Sequence, residues 1–371
     1  MRILQLGKFY PVRGGVEKVM YDLMLGLADR GIECDMMCAE SSGKGNIHKI
    51  DARAKILTYH TWAKVASTTI APSMINALRA VADKYDIIHV HHPDPMAALA
   101  LMLSGFKGSV VLHWHADILK SKSLLKLYKG IQQWLLERAD VIVTTSPVTI
   151  YNSDDLEEYR SKTVCIPIGI AGLEMDAVGA AKLRNKFGDR KMVFSLGRLV
   201  PYKGFKYLVN AAKYLPDNYV VVIGGEGPLL GELEQLRDSL GIHDKVFFVG
   251  RIPDEDLPAY YTACDIFCLP SVMKTEAFGI VQIEAMSLGK PVVATTIPGS
   301  GTAWVNKHGF SGLNVSPADA EALAQALHAI GSNDKKYALF SEGAKDRFEE
   351  EFKLDQMVDR CYELYKKLME K

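Results

Sequence analysis

The sequence predicts an α/β protein made of two doubly wound parallel-sheet domains facing across a cleft, with a C-terminal helix crossing back to the first. Three observations carry that expectation. Short β-branched runs alternate with stretches of helical period, the signature of βα units in a parallel sheet. The chain has 371 residues, room for about two domains at roughly 150 residues each. Residues hard to explain as packing gather just past the expected strands in both halves, where open parallel sheets bind ligands.

From the N-terminus, the first domain's strands are expected at Arg2–Leu6, Glu33–Cys38, Ile87–Val90, Ser109–His113, Val141–Thr144 and Thr163–Pro167. The second domain's are Met192–Leu196, Tyr219–Ile223, Val246–Val249, Ile266–Leu269 and Pro291–Ala294. Between them lie periodic helices. In Glu17 to Arg30, Val19, Met20, Leu23, Met24 and Leu27 form one stripe and Gly31 follows as a C′ residue. Residues 169–189 hold no convincing strand and several Gly and Ala, which places the linker there. The domains are therefore 1–170 and 190–347, with 348–371 as a terminal helix directed toward the first domain. Its apolar positions include Phe348, Phe352, Met357, Cys361, Leu364 and Leu368.

Lys+Arg and Asp+Glu both total 44, so the formal charge is zero. That balance argues against nucleic acid as the main partner, because neutralising phosphates needs a basic surplus. Apolar content of 48% and charged content of 24% exclude long disorder and collagen-like structure. The first eight residues are interrupted by Lys8 and too short for a signal-peptide core. The run Met96 to Leu103 falls far short of the ~20 residues that span a bilayer. Cys34, Cys38, Cys165, Cys264, Cys268 and Cys361 form no C-x-x-C pair and read as small hydrophobes in a reduced, cytoplasmic protein.

Several groups carry chemistry. Gly14-Gly15-Val16-Glu17 opens a helix; it is either an ordinary strand–helix turn or an anion site built from N–H groups and the positive helix end. Gly7 and Gly14 lie too far apart for G-x-G-x-x-G, so the dinucleotide fingerprint is missing. Arg198 and Lys203 in Gly197-Arg-Leu-Val-Pro-Tyr-Lys203-Gly204 follow a strand that must be buried. They are a solvated loop or a diphosphate clamp, Arg giving a forked contact and Lys a point charge.

Glu276 precedes a helix expected from Gly279 to Leu288, and Glu284 lies inside it among Ile280, Val281, Ile283, Ala285 and Met286. A carboxylate in that setting needs a polar partner such as a ligand's hydroxyls. A carboxylate pair also raises acid–base hydrolysis. His89-Val-His91-His92 and His113-Trp-His115-Ala-Asp117 end two strands. With Asp94 or Asp117 they would suit zinc or iron; otherwise they are satisfied core residues or substrate contacts. Asp254-Glu-Asp256 matches a D-x-D pattern but sits between Pro253 and a short helix, and reads as capping.

Taken together, these motifs resemble those of the retaining glycosyltransferases of family GT4, which have the GT-B fold of two Rossmann-like domains. The resemblance covers nearly the whole chain. Gly197-Arg198…Lys203-Gly204 is similar to the family's donor-diphosphate site, and Glu276-Ala-Phe-Gly-Ile-Val-Gln-Ile-Glu284 to its E-x7-E motif. Gly14-Gly15-Val-Glu17 is similar to the acceptor-domain loop that meets the diphosphate. The resemblance implies that Arg198 and Lys203 hold the phosphates, Glu284 the ribose hydroxyls and Glu276 the donor sugar. It implies N–H contacts around Phe278, Gly279, Ile280 and Gly15, and places His115 near the sugar's primary hydroxyl.

A hexose-type sugar would pass from a nucleotide diphosphate sugar to a glycan or polyprenyl-linked glycan, with no metal and no cofactor, in cell-surface polysaccharide or glycolipid synthesis. Two departures stand out: Ile166-Pro167-Ile168-Gly169-Ile170 lacks the usual Asn and Asp, and Pro298-Gly-Ser-Gly301-Thr replaces a shorter Gly-Gly turn.

Leu119–Arg138 concentrates Lys120, Lys122, Lys126, Lys129 and Arg138 against one acid, Glu137, with Leu124, Tyr128, Trp134 and Leu135 interleaved. It is a packing helix with a solvated edge or an anionic-membrane contact, which would place the protein at the inner face of the membrane. Two other classes compete with glycosyl transfer. They are an NAD-type oxidoreductase, disfavoured by the absent fingerprint, and a non-catalytic nucleotide-sugar-binding protein.

Overall fold

The structure, a computed structural model, describes the backbone of residues 1–12, 14–40, 44–65, 68–118 and 122–370, and their side chains except 65, 68 and 122–127. The chain divides into two units, residues 1–169 with 354–371, and residues 170–353.

The first unit contains β1 (Arg2–Tyr10), α1 (Gly15–Asp29), β2 (Glu33–Glu40), β3 (Ile47–Asp51), β4 (Ala54–His60), β5 (Ala63–Val65), β6 (Thr68–Ile70) and α2 (Ser73–Val81). It continues with β7 (Ile87–His92), α3 (Pro95–Ser104), β8 (Ser109–Trp114), α4 (Lys122–Arg138), β9 (Val141–Thr144), α5 (Pro147–Asn152) and β10 (Thr163–Cys165). Eight strands form one sheet in the order β10-β9-β8-β7-β1-β2-β4-β3, parallel except for the β3–β4 pair. The chain lays down β1, extends to one side through β2 and β4, then returns to build β7 to β10 on the other. The switch point therefore lies between β1 and β7, where the loops leaving both strands diverge and leave a crevice.

Side-chain alternation then sorts the strands by face. Leu4, Leu6, Ile88, Val90, Val110 and Leu112 enter one apolar core. By the same period Gln5, His89, His91 and His113 turn to the opposite face, where they are fully buried.

The second unit contains α6 (Ala177–Phe187), β11 (Lys191–Leu196), α7 (Phe205–Ala212), β12 (Tyr219–Gly224), α8 (Leu230–Ser239), β13 (Val246–Gly250), α9 (Leu257–Ala263) and β14 (Ile266–Leu269). After these come α10 (Ile280–Ser287), β15 (Val292–Thr295), α11 (Thr302–Val305), β16 (Gly312–Val315), α12 (Ala320–Gly331) and α13 (Asp334–Glu351). Its six-stranded sheet runs β13-β12-β11-β14-β15-β16, all parallel. Here the switch point lies between β11 and β14. Such strands read as continuous apolar runs because helices cover both faces, as in β12, where every residue is buried.

Several expectations need correction. Residues 177–187, placed in a linker, form α6; its Ala180 and Phe187 are buried, and Asp176 accepts from the Gly179 N–H as N-cap. Residues 47–70 carry four strands that the sequence does not announce; β3, for example, is short, polar and mostly exposed, so no apolar run betrays it. β16, Gly-Leu-Asn-Val, is equally inconspicuous. The terminal helix begins at Leu354 as α14 (Leu354–Met369), not at residue 348.

Phe352 belongs to the second unit, edge-on to Phe278 at 5.9 Å and to Trp304 at 5.8 Å. Met357, Val358, Cys361, Tyr365 and Leu368 of α14 bury their side chains in the first unit. Each large apolar side chain so buried contributes about 1.5–3 kcal/mol at most. Arg30 adds rim contacts to Asp359 at 2.6 Å and Asp355 at 3.2 Å, exposed pairs that contribute little.

Candidate active site

In the second unit the two loops that leave the switch-point strands carry the residues singled out by sequence. The loop after β11 holds Arg198 and Lys203; the loop after β14 holds Glu276. Lys203 Nζ lies 2.6 Å from Glu276 Oε2, and both side chains are only about a tenth exposed. Ser271 Oγ donates to the same oxygen at 3.0 Å. Ser300 Oγ donates to the Glu276 carbonyl at 2.5 Å, and Thr295 Oγ1 donates to the Ser271 carbonyl. The Glu276 loop is thus pinned from β15 and the turn beyond it.

Gly204 makes the close approach possible. Its φ is +68°, and a Cβ there would sit 2.0 Å from the Pro270 carbonyl oxygen, so any other residue would push the lysine loop away.

Arg198 is exposed, and no ion pair to its guanidinium is recorded among the described residues. It is an exposed cation on the same loop as Lys203, which is what a solvated loop and a diphosphate clamp would both show. Gly279 is the N-cap of α10 and no side chain caps it; the Gln282 N–H bonds to the Gly279 carbonyl at 2.9 Å, and the N–H groups of Ile280 and Val281 are left for an anion. Phe278 is buried and anchors that turn. Glu284 is half-buried within α10 and accepts a 2.6 Å bond from the Tyr261 hydroxyl. Tyr261 is fully buried; burial first, and the Glu284 charge second, hold its phenol well above its usual range. The mid-helix carboxylate therefore has a protein donor, which the sequence did not reveal.

In the first unit, the loops after β1 and β7 also meet at the switch point. Lys8 has φ +61° and donates its N–H to Asp94 Oδ2, while its ammonium lies 2.5 Å from the Pro93 carbonyl. Asp94 also caps α3, accepting from the N–H groups of Met96 and Ala97 at 3.0 Å. Burial pushes the Lys8 ammonium down and the Asp94 carboxyl up. Gly15 is the first residue of α1. Beside it, the Glu17 carboxylate folds so close over Gly14 that a Cβ there would lie 2.3 Å from Oε2. Burial raises its pKa. The start of α1 thus carries the chain's own carboxyl group.

His115 follows β8 directly, and its Nε2 lies 2.9 Å from His91 Nδ1. The other nitrogen of His91 lies 2.8 Å from Gln5 Oε1. His89, His91 and His113 bring one nitrogen each within 4.8 Å of one another, which invites the metal reading. Ring geometry opposes it: His89 and His113 stack with planes 11° apart and His91 and His113 with planes 26° apart. In-plane lone pairs of stacked rings run side by side rather than converging on one ion, and both nitrogens of His91 are already engaged. Asp94 and Asp117, the carboxylates suggested for that set, are committed to α3 and to Trp114 Nε1 and Ser153 Oγ.

Asp256 occupies the N-cap position of α9 but makes no side-chain cap bond, and both it and Asp254 are exposed. That corrects the capping assignment. In α4 the described side chains favour packing: Tyr128, Leu135 and Leu136 are buried, and Ile131 and Trp134 lie against the first unit's core. Lys120, and the side chains of Lys122, Leu124 and Lys126, fall outside the described residues. Among the described residues no helix is long and apolar enough to cross a membrane.

Residues 181–347 match the profile "Glycosyl transferases group 1" and residues 13–171 match "Glycosyltransferase Family 4". The O-antigen chain mannosyltransferase C of Escherichia coli is 33% identical, over 100% of this chain and 99% of its own. The D-rhamnosyltransferase WbpZ of Pseudomonas aeruginosa is 32% identical, over 95% and 92%. Among solved structures, the sucrose-phosphate synthase of Thermosynechococcus elongatus superposes with a TM-score of 0.82 at 22% identity, over 100% and 99% of the two chains. Anabaena HepE in complex with UDP gives 0.79 at 21%, over 99% and 100%.

Proposed function

The chain belongs to the family 4 glycosyltransferases and is a glycosyltransferase with the GT-B fold, and from that premise we propose that it transfers a hexose-type sugar with retention, without a metal. The donor is a nucleotide diphosphate sugar, and the acceptor a glycan or polyprenyl-linked glycan of the cell surface, met at the cytoplasmic face of the membrane. Neither the oxidoreductase nor the non-catalytic reading finds a counterpart among the relatives named above. The observation that carries the proposal is the Lys203–Glu276 pair at 2.6 Å, set at the second unit's switch point, with the exposed Arg198 on the same loop as Lys203 and the uncapped start of α10 following Glu276.

In this reading Lys203 and Arg198 bind the diphosphate and stabilise the negative charge that grows on it as the bond from sugar C1 breaks. Fixed cations and a helix end do this without reorganising, which is worth several kcal/mol. Glu276 orients the donor sugar, N–H groups at Phe278, Gly279 and Ile280 meet sugar and phosphate, and Glu284 accepts from ribose hydroxyls. In the first unit the Gly15 N–H meets the diphosphate, and His115 contacts the sugar's primary hydroxyl. The acceptor hydroxyl attacks C1 on the face the diphosphate leaves, and its proton passes to the departing phosphate oxygen.

A panel of nucleotide sugars read by thermal shift tests the reading, since a ligand that binds only the native state raises its melting temperature. Mannose- and rhamnose-type donors head the panel, after the two relatives described above. A stabilising donor should also be hydrolysed or transferred by the wild type and not by Arg198→Ala. No stabilisation by any donor or nucleoside diphosphate would overturn the assignment.

A further inference from the structure

We propose that Gln5 and His91 are positioning residues that hold His115 in a single tautomer, protonated on Nε2, so that its Nδ1 is left as an acceptor for a substrate hydroxyl. The inference rests on the placement of His115 at the donor sugar proposed above. It follows from a chain of bonds in the first unit. Gln5 is fully buried at the middle of β1, a position where parallel strands normally carry apolar residues. Its amide therefore needs buried partners, and it has them on both ends. The Nε2 group donates to Cys34 Sγ at 3.7 Å and to the Tyr365 hydroxyl of α14 at 3.5 Å. The Oε1 atom is thereby turned toward His91 Nε2, at 2.8 Å.

The consequence propagates. A carbonyl oxygen only accepts, so His91 must carry its proton on Nε2. A neutral imidazole has one such proton, so His91 Nδ1 is bare and accepts from His115 Nε2 at 2.9 Å. His115 has then spent its proton, and Nδ1 is the ring atom left for a ligand. Neutrality is enforced by setting: His89, His91 and His113 are fully buried and stacked, with centroids 4.7–5.2 Å apart, and an imidazolium among them would meet no compensating carboxylate in the stack. His89, whose Nδ1 lies 2.5 Å from the Tyr365 hydroxyl, extends the network to the C-terminal helix. A hydrogen bond from the sugar's hydroxyl to a bare Nδ1 costs the ring no reorganisation; the opposite tautomer would set two bare nitrogens, His91 Nδ1 and His115 Nε2, against each other at 2.9 Å.

Imidazole 15N NMR of the whole protein, labelled at its ten histidines, reads the tautomer directly, with the His115 signals identified by their loss in His115→Gln. The expected wild-type pattern is pyrrole-like Nε2 and pyridine-like Nδ1 at His115. In Gln5→Met, which keeps the volume and deletes the acceptor, the two signals should move toward averaged values, and kcat should fall about 5- to 30-fold, the equivalent of one hydrogen bond. A protonated Nδ1 in the wild type overturns the proposal without reference to any variant's folding. So does a Gln5→Met spectrum unchanged at His115, or a changed spectrum with full kcat while His115→Ala is impaired. If His115→Ala itself turns over normally, the placement of His115 at the sugar has failed, and the spectra still decide the relay.

Discussion

Replacing Lys203 by Met removes an ammonium that stands 2.6 Å from Glu276 Oε2, with side-chain exposures of 12% and 11%. Stranding one member of a fully buried pair costs about 3–5 kcal/mol, while an exposed pair contributes about 0–1 kcal/mol. With a tenth of each side chain in water and the Ser271 hydroxyl still on the carboxylate at 3.0 Å, the expected loss is about 2–4 kcal/mol. For a unit of this size each kcal/mol shifts melting by about 2–4 °C, so scanning calorimetry in donor-free buffer should show a drop of about 5–12 °C. The cycle with Glu276→Gln isolates the pair: the double variant should melt above the sum of the single losses by a coupling of at least about 1 kcal/mol. Donor turnover at a temperature where Lys203→Met is folded should fall by about a hundredfold or more. Additive melting shifts would refute the pairing, and near-normal turnover would refute the phosphate role.

The remaining expectations concern Glu284 and the buried histidines. Glu284→Gln should raise the donor KM by about tenfold or more with kcat little changed, as loss of a charged hydrogen bond to the ribose requires; an unchanged KM sinks that role. Tyr261→Phe removes the hydroxyl that donates to Glu284 at 2.6 Å, and should raise KM in the same direction. Burial lowers the His113 pKa to about 3, below the usual ~6.5 of the unfolded chain. The unfolded state therefore binds the extra proton, and the contribution is whole above pH 6.5 and lost as pH falls toward 3. Stability of the wild type should fall faster than that of His113→Phe by about 1.4 kcal/mol per pH unit across that window. Parallel pH curves from denaturant titrations would show that His113 is not held neutral.

What could be read in advance was whatever is local. Runs such as β11 and β12 announce themselves because strands covered on both faces are apolar throughout, and the α1 stripe because helical period and a closing Gly31 are local signals. Lys203, Glu276 and Glu284 stood out on local grounds too: a cation just past a strand that must be buried, a carboxylate ahead of a helix and a charge inside an apolar helix stretch each need a purpose. β3 and β16 carry too few apolar residues to signal themselves, since each is an edge strand of its sheet with solvated positions; β4 is largely buried, but its apolar run is only Ile56-Leu57. α6 hid in a segment whose composition resembles a linker, and its helix is held by the Asp176 cap and contact with α9.

Lys8, Gln5, Tyr261 and Ser271 gave no motif at all. Each matters through a partner that lies elsewhere in the sequence: Asp94, His91, Glu284 and Glu276 respectively.

The sequence by itself determined that this is an α/β chain of two parallel-sheet units, and which residues ring the strand ends. It also determined the charge balance, but net charge left open where each cation goes. Tertiary structure alone decided the pairings. Strand order places the switch point between β11 and β14, and only that order brings Lys203 to Glu276. The same holds between β1 and β7 for Lys8 and Asp94. The histidines show the difference most plainly: their spacing admitted a metal site, whereas the stacked rings and the Gln5 amide make a hydrogen-bonded chain. Spacing along a strand says which face a side chain takes; the direction of its lone pairs depends on neighbours supplied by other strands.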